Sequence, residues 1–156
     1  MTSRRDFLFL SSLAFVSGRA SAQLPPNIAA IRAAALEAAI RKVTGGAEVK
    51  PGRVILDLPP LVDNGNTVPV TVSVQSPMTE ADHVKAIHLF TEKNPQPYVM
   101  SAHVGPRAGR ARVSTRIRIA DTGKVIAIAQ MSDGSYWSHT VPVVVTLSAC
   151  LEDGLI

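Results

Sequence analysis

Residues 68–74 read Val68-Pro69-Val70-Thr71-Val72-Ser73-Val74, and this stretch decides the fold class. The valines alternate with Pro69, Thr71, Ser73 and then Gln75. A period of two puts every valine on one face of an extended chain and the intervening residues on the other. That is a strand buried on one side. Pro69 lacks an N–H, which points to an edge or a bulge. Further along, Val113, Thr115, Ile117 and Ile119 alternate with Arg112, Ser114, Arg116 and Arg118. Val84 to Phe90 and Tyr98 to Val104 read as strands, and Val54 to Leu58 is a short apolar run stopped by Pro59-Pro60. Lys124 to Met131 and Tyr136 to Leu147 flank Ser132-Asp133-Gly134-Ser135, a turn between hairpin strands. About seven short strands separated by Gly, Pro and Asn turns predict a mainly β chain, folded as an antiparallel sandwich.

Upstream of the strands the period changes to that of a helix. Asn27 to Val43 is rich in alanine, with Asn27 as a cap, and Ile28, Ile31, Ala35, Ile40 and Val43 lie close to one stripe. Gly45-Gly46 ends it. This amphipathic helix is expected either to lie on the core or to face a second subunit.

The first residues read as an export signal. Ser3-Arg4-Arg5-Asp6-Phe7-Leu8 is a twin-arginine pattern, followed by an apolar run to Val16 and by Ala20-Ser21-Ala22, a small-x-small cleavage site. The apolar run, about ten residues, is too short for a lasting membrane anchor. The expected segments are a signal peptide over 1–22, a helical segment over 23–46, a sandwich domain over 47–147 and a cysteine tail over 148–156. Export through this pathway implies the periplasm. The 156 residues carry 16 basic and 12 acidic side chains; without Arg4, Arg5, Arg19 and Asp6 the net charge is +2. With aromatic residues at only 4%, neither phosphate-backbone binding nor base stacking is expected, so no nucleic-acid partner is predicted.

Cys150 is the only cysteine. It has no partner for an internal disulfide and cannot by itself build a cysteine-based zinc site. Near the end of an exported chain it is a candidate for covalent chemistry; alternatively it is a small apolar residue continuing the last strand. Glu152 and Asp153 beside it raise a thiol pKa, so any activation belongs to a partner enzyme. Arg107, Arg110, Arg112, Arg116 and Arg118 form either an anion-attracting docking surface or a solvated sheet face paired with Glu80, Glu92 and Asp121. His83, His88, His103 and His139 lack a metal-ligand spacing, and Met78, Met100 and Met131 read as core filling. Gly105-Pro106-Arg107-Ala108-Gly109-Arg110 reads as a loop crossing between sheets. No motif calls for a catalytic residue, a metal or a cofactor.

Taken together, several stretches resemble the SoxY family of periplasmic sulfur carriers. They are the twin-arginine leader, the Ala-rich helix and Leu58-Pro59-Pro60-Leu61-Val62-Asp63-Asn64-Gly65-Asn66. Next come Val68-Pro69-Val70, Ser76-Pro77-Met78, His83-Val84-Lys85 and Glu92-Lys93-Asn94-Pro95-Gln96-Pro97. The last are Gly105 to Arg110 and Met131-Ser132-Asp133-Gly134-Ser135.

The resemblance implies an immunoglobulin-like sandwich that pairs with a SoxZ-like subunit as a heterodimer. It implies a non-enzymatic role, with Cys150 as the covalent attachment site for thiosulfate-derived sulfur. A haem-containing partner would conjugate thiosulfate to give a cysteine S-thiosulfonate, a hydrolase would release sulfate, and a sulfane dehydrogenase would oxidise what is left. The family's usual Gly-Gly-Cys-Gly-Gly ending is replaced here by Ser148-Ala149-Cys150-Leu151-Glu152-Asp153. A binding or structural module that has lost the carrier role is the alternative.

Overall fold

The computed structural model describes residues 26–147. The signal segment and the cysteine tail therefore lie outside the described residues. Helix α1 (Pro26–Thr44) is followed by nine strands: β1 (Val49–Pro51), β2 (Val54–Asp57), β3 (Leu61–Asn64), β4 (Val68–Val74), β5 (Val84–Thr91), β6 (Tyr98–His103), β7 (Ala111–Ile117), β8 (Gly123–Met131) and β9 (Tyr136–Leu147). The larger sheet runs β1-β9-β8-β5-β6, with β3 also on β9; the smaller runs β2-β4-β7.

The period of two is met in β4, whose valines are all buried. They face Ile87, Leu89, Val125, Ala127 and Val143 of the larger sheet in one core. Pro69 does not sit on an edge strand, because β4 is the middle of its sheet. β2 pairs only with Thr71 to Val74, so at Pro69 the strand has β7 alone as a neighbour. The local surroundings are those of an edge, which is what a residue without an N–H needs.

The strand count exceeds the expected seven by β1 and β3, and both pair parallel to β9. Neither has a hydrophobic alternation of its own; their pairing is set by the main chain of β9. The chain leaves the larger sheet after β1, contributes β2 to the smaller one, and returns through Pro59-Pro60 to β3. The loop of residues 105–110 crosses between sheets as expected, joining β6 to β7. The β8–β9 turn is closed by Gly134 N donating to Met131 O at 3.1 Å and Ser135 N to Asp133 Oδ1 at 2.8 Å. Gly134 has φ +85°, a conformation that favours glycine.

Helix α1 starts at Pro26, so Asn27 lies inside it and does not cap it. Its packing stripe is Leu36, Ala39, Ile40 and Val43, set on Phe90, Ile126, Ile128 and Tyr136 of the larger sheet. The expected stripe is right from Ile40 onward, but Ile31 is 61% exposed. Ala-rich sequence makes a helix without selecting a face, so only the sheet beneath selects it. Tyr136 Oη donates to Val43 O at 3.2 Å and ties the helix end to β9.

Phe90 is fully buried beneath α1. Replacing Phe90 by Ala is expected to cost about 3–5 kcal/mol in equilibrium denaturant unfolding, because the helix cannot collapse into the space. Loss of less than about 1 kcal/mol would show that the helix contributes little to the fold.

Candidate functional site

The described chain ends with β9, and the site is built around that end. β9 is held there on both sides. Gly65 N donates to Leu147 O at 3.1 Å, and Thr146 Oγ1 donates to Asp63 O at 3.1 Å. Opposite, Val145 N donates to Thr122 Oγ1 at 3.0 Å, and the same hydroxyl reaches Val145 O at 3.3 Å. A threonine side chain thus continues the ladder where β8 has stopped at Gly123.

The contacts extend outward from Gly65. Its carbonyl accepts Ile119 N at 2.8 Å. Arg118 Nη2 donates to Asn66 Oδ1 at 3.1 Å, and Asn66 N donates to Asn64 Oδ1 at 2.9 Å. Asn94 bridges the next loop: its Nδ2 donates to Arg118 O at 2.9 Å and its Oδ1 accepts Ala120 N at 2.8 Å. The side-chain amide of Asn94 does here what a neighbouring strand would do. The end of the last strand therefore sits on a braced platform made of residues 63–66, 94 and 118–122.

The arginines lie along one side of this platform. Arg112 and Arg116 are exposed on the outer face of β7, opposite Ser73 and Pro69 of β4. Arg118 follows the strand end and is also exposed. Among the described residues none of the arginines from 107 to 118 makes an ion pair with Glu80, Glu92 or Asp121. Glu92 Oε2 accepts the backbone N of Lys124 instead, and Asp121 Oδ1 that of Thr122. Glu92 and Asp121 thus cap the turn into β8.

The four histidines go to separate places. His83 lies just before β5, where its Nδ1 is 3.0 Å from Thr79 O. His103 ends β6. His139 Nδ1 accepts Leu56 N at 3.0 Å and stitches β2 to β9 across the two sheets. His88 is buried on the helix side of β5, with Nδ1 3.1 Å from Tyr98 Oη and Nε2 without a hydrogen-bond partner among the described residues. Sequence reasoning did not find the roles of His139, His88, Asn94 and Thr122. Asn94 and Asn66 lie inside the stretches that carry the family resemblance, which is the one signal that marked them. Cys150, the expected attachment site, lies outside the described residues; the described chain stops at Leu147.

The comparisons with known proteins agree with this architecture. The family model "Sulfur oxidation protein SoxY" matches residues 40–150. Among solved structures, the sulfur carrier protein SoxY from Chlorobium limicola f thiosulfatophilum is similar, with 30% identity and a TM-score of 0.62, covering 74% of this chain and 99% of that one. A superoxide reductase (neelaredoxin) from Ignicoccus hospitalis has 18% identity and a TM-score of 0.54, covering 60% of this chain and 80% of that one. A putative superoxide reductase from Thermotoga maritima has 20% identity and a TM-score of 0.52, over 63% and 87%. At these identities the reductases share the fold alone. A search of curated proteins gives no match.

Burial pushes the His88 imidazole below its usual value of 6.5, and the charge of His103 adds to the effect. A folded-state value below the unfolded one means the unfolded chain takes up the proton first. Stability is therefore expected to be complete above pH 6.5 and to fall as the pH drops through the lower folded value. His88→Phe is expected to flatten this acid-side decline in thermal unfolding measured down to about pH 5. An unchanged decline in that variant would assign the effect to other groups.

Proposed function

The chain belongs to the SoxY family of sulfur oxidation proteins, and from that premise we propose that it is a sulfur carrier loaded on Cys150. The observation that carries the proposal is the extent of the family match. It runs through the sandwich and ends at position 150, where the chain has its only cysteine. A SoxY protein carries sulfur and does not catalyse its conversion.

The cargo is thiosulfate-derived. The Cys150 thiolate bonds to the sulfane sulfur of thiosulfate, and an electron pair passes to a haem-containing partner. The product is a cysteine S-thiosulfonate. Hydrolysis by a second partner releases sulfate, and a sulfane dehydrogenase oxidises the sulfur that stays attached. The carrier works as a heterodimer with a SoxZ-like subunit in the periplasm, reached through the twin-arginine leader.

The braced end of β9 sets a limit on this delivery. With the strand held as far as Leu147, an extended chain carries Cys150 only about 10 Å further, at roughly 3.3 Å per residue. Arms flanked by glycines also gain backbone freedom that Ser148-Ala149 and Leu151-Glu152 do not supply. Partners of this carrier accordingly need a shallow, open site. The tail composition favours one rival reading, a pairing subunit that takes no cargo.

Cys150→Ser separates the two. In a reconstituted system, thiosulfate-dependent electron transfer is expected to fall to background with this variant, and the wild-type protein is expected to gain a thiosulfate or sulfane mass that reductant removes. Electron transfer unaffected by the substitution, with no adduct on the intact protein, would leave only the pairing subunit.

A further inference from the structure

We propose that Arg116 and Arg118 form the docking surface for the acidic segment that follows Cys150 in this same chain, with Glu152 and Asp153 seated against the two guanidinium groups. The proposal concerns where the tail rests, and it stands whether or not Cys150 takes up cargo.

The last described residue, Leu147, lies close enough to these arginines for the chain that follows it to reach them. Leu147 O is bonded to Gly65 N, and Gly65 O to Ile119 N, so two backbone hydrogen bonds lead from the end of β9 to the residue after Arg118. At the usual spacing between paired strands that is about 10 Å. Extended chain from Leu147 to Glu152 reaches about 16 Å, so the carboxylates arrive without strain. The guanidinium of Arg118 is already turned toward this exit, since its Nη2 meets Asn66 Oδ1, one residue past Gly65. Arg116 lies two residues back on the outer face of β7, beside a hollow of about 520 Å³ between it, Pro69, Thr71 and Ser114.

Charge favours this side of the platform over its alternatives. Lys93 and Lys124 stand on the β8 side, but Glu92 and Asp121 stand with them and would repel an acidic tail. Asp63, exposed on β3 next to β9, discourages a path along that strand. On the Arg116–Arg118 side neither guanidinium meets a carboxylate among the described residues. Arginine also presents a planar fork that suits a carboxylate. Glu152 and Asp153 together supply two carboxylates for the two guanidinium groups. Two exposed ion pairs together favour the docked position by about fivefold at low salt.

The single cysteine allows a direct test. A nitroxide on Cys150 of the mature protein broadens the amide signals of residues near the tail. Any tether of this length broadens signals around the end of β9, so residues 122–124 on the β8 side serve as the reference. Docking predicts stronger broadening at residues 116–118 than at 122–124 in low salt. That excess is expected to fall about twofold or more in about 0.5 M salt, in Glu152→Gln/Asp153→Asn, and in Arg116→Ser/Arg118→Ser. Equal broadening on both sides in every condition overturns the proposal. So does broadening centred on α1 and residues 95–98, which would place the tail in the groove beside the helix, or broadening that vanishes on dilution, which would place it on a second copy.

Discussion

The backbone of one long strand must find partners along nearly its whole length, and the rest of the molecule is arranged to supply them. β9 has twelve residues. Buried amide and carbonyl groups without partners cost more than almost any other fault in a fold. β8 takes one side of β9 from Tyr136 to Val143. The other side is divided between β1 at one end and β3 at the other. Thr122 takes over where β8 stops, and His139 uses its own side chain to hold β2 from the opposite sheet. The excursion of the chain from β1 through β2 to β3 follows from this requirement.

The parts legible in the sequence are those in which side-chain chemistry repeats. The alternation of residues 68–74 and 113–119 marked two strands of the smaller sheet, and the Asp133-Gly134 turn marked the hairpin of β8 and β9. Apolar runs located β5 and β6 within a residue or so of their ends. What escaped is what the backbone decides. β1 and β3 carry no pattern because main-chain pairing to β9 makes them strands. The face of α1 escaped in part for a related reason, since a run of alanines offers every side equally. Pro69 predicts an edge and lies on a middle strand, because strand order is a tertiary fact; locally it still has β7 alone as a paired neighbour.

The site divides in the same way. The lone cysteine, its acidic neighbours and the arginine run are visible as residues, and their meaning depends on which strand end they share. The strand register brings Arg118 and Asn66 to the place where β9 ends, which no spacing in the sequence announces. Asn94 and Thr122 are single polar residues that substitute for strand neighbours, and such roles leave no periodic trace. Glu92 and Asp121 accept backbone N–H groups at the turn into β8, and neither meets an arginine of the run among the described residues.

The joining of β2 to β9 through Leu56 and His139 links positions 83 residues apart. β9 is the last described strand to emerge from the ribosome, yet β1, β3 and β8 all depend on it. A nascent chain lacking it exposes the edge of β8 and leaves the sandwich open. Collapse to the finished body must therefore wait until synthesis has passed Leu147, and contacts of such long range make that step slow. For this molecule, the stretch that completes assembly is the same one that leads directly into the cysteine.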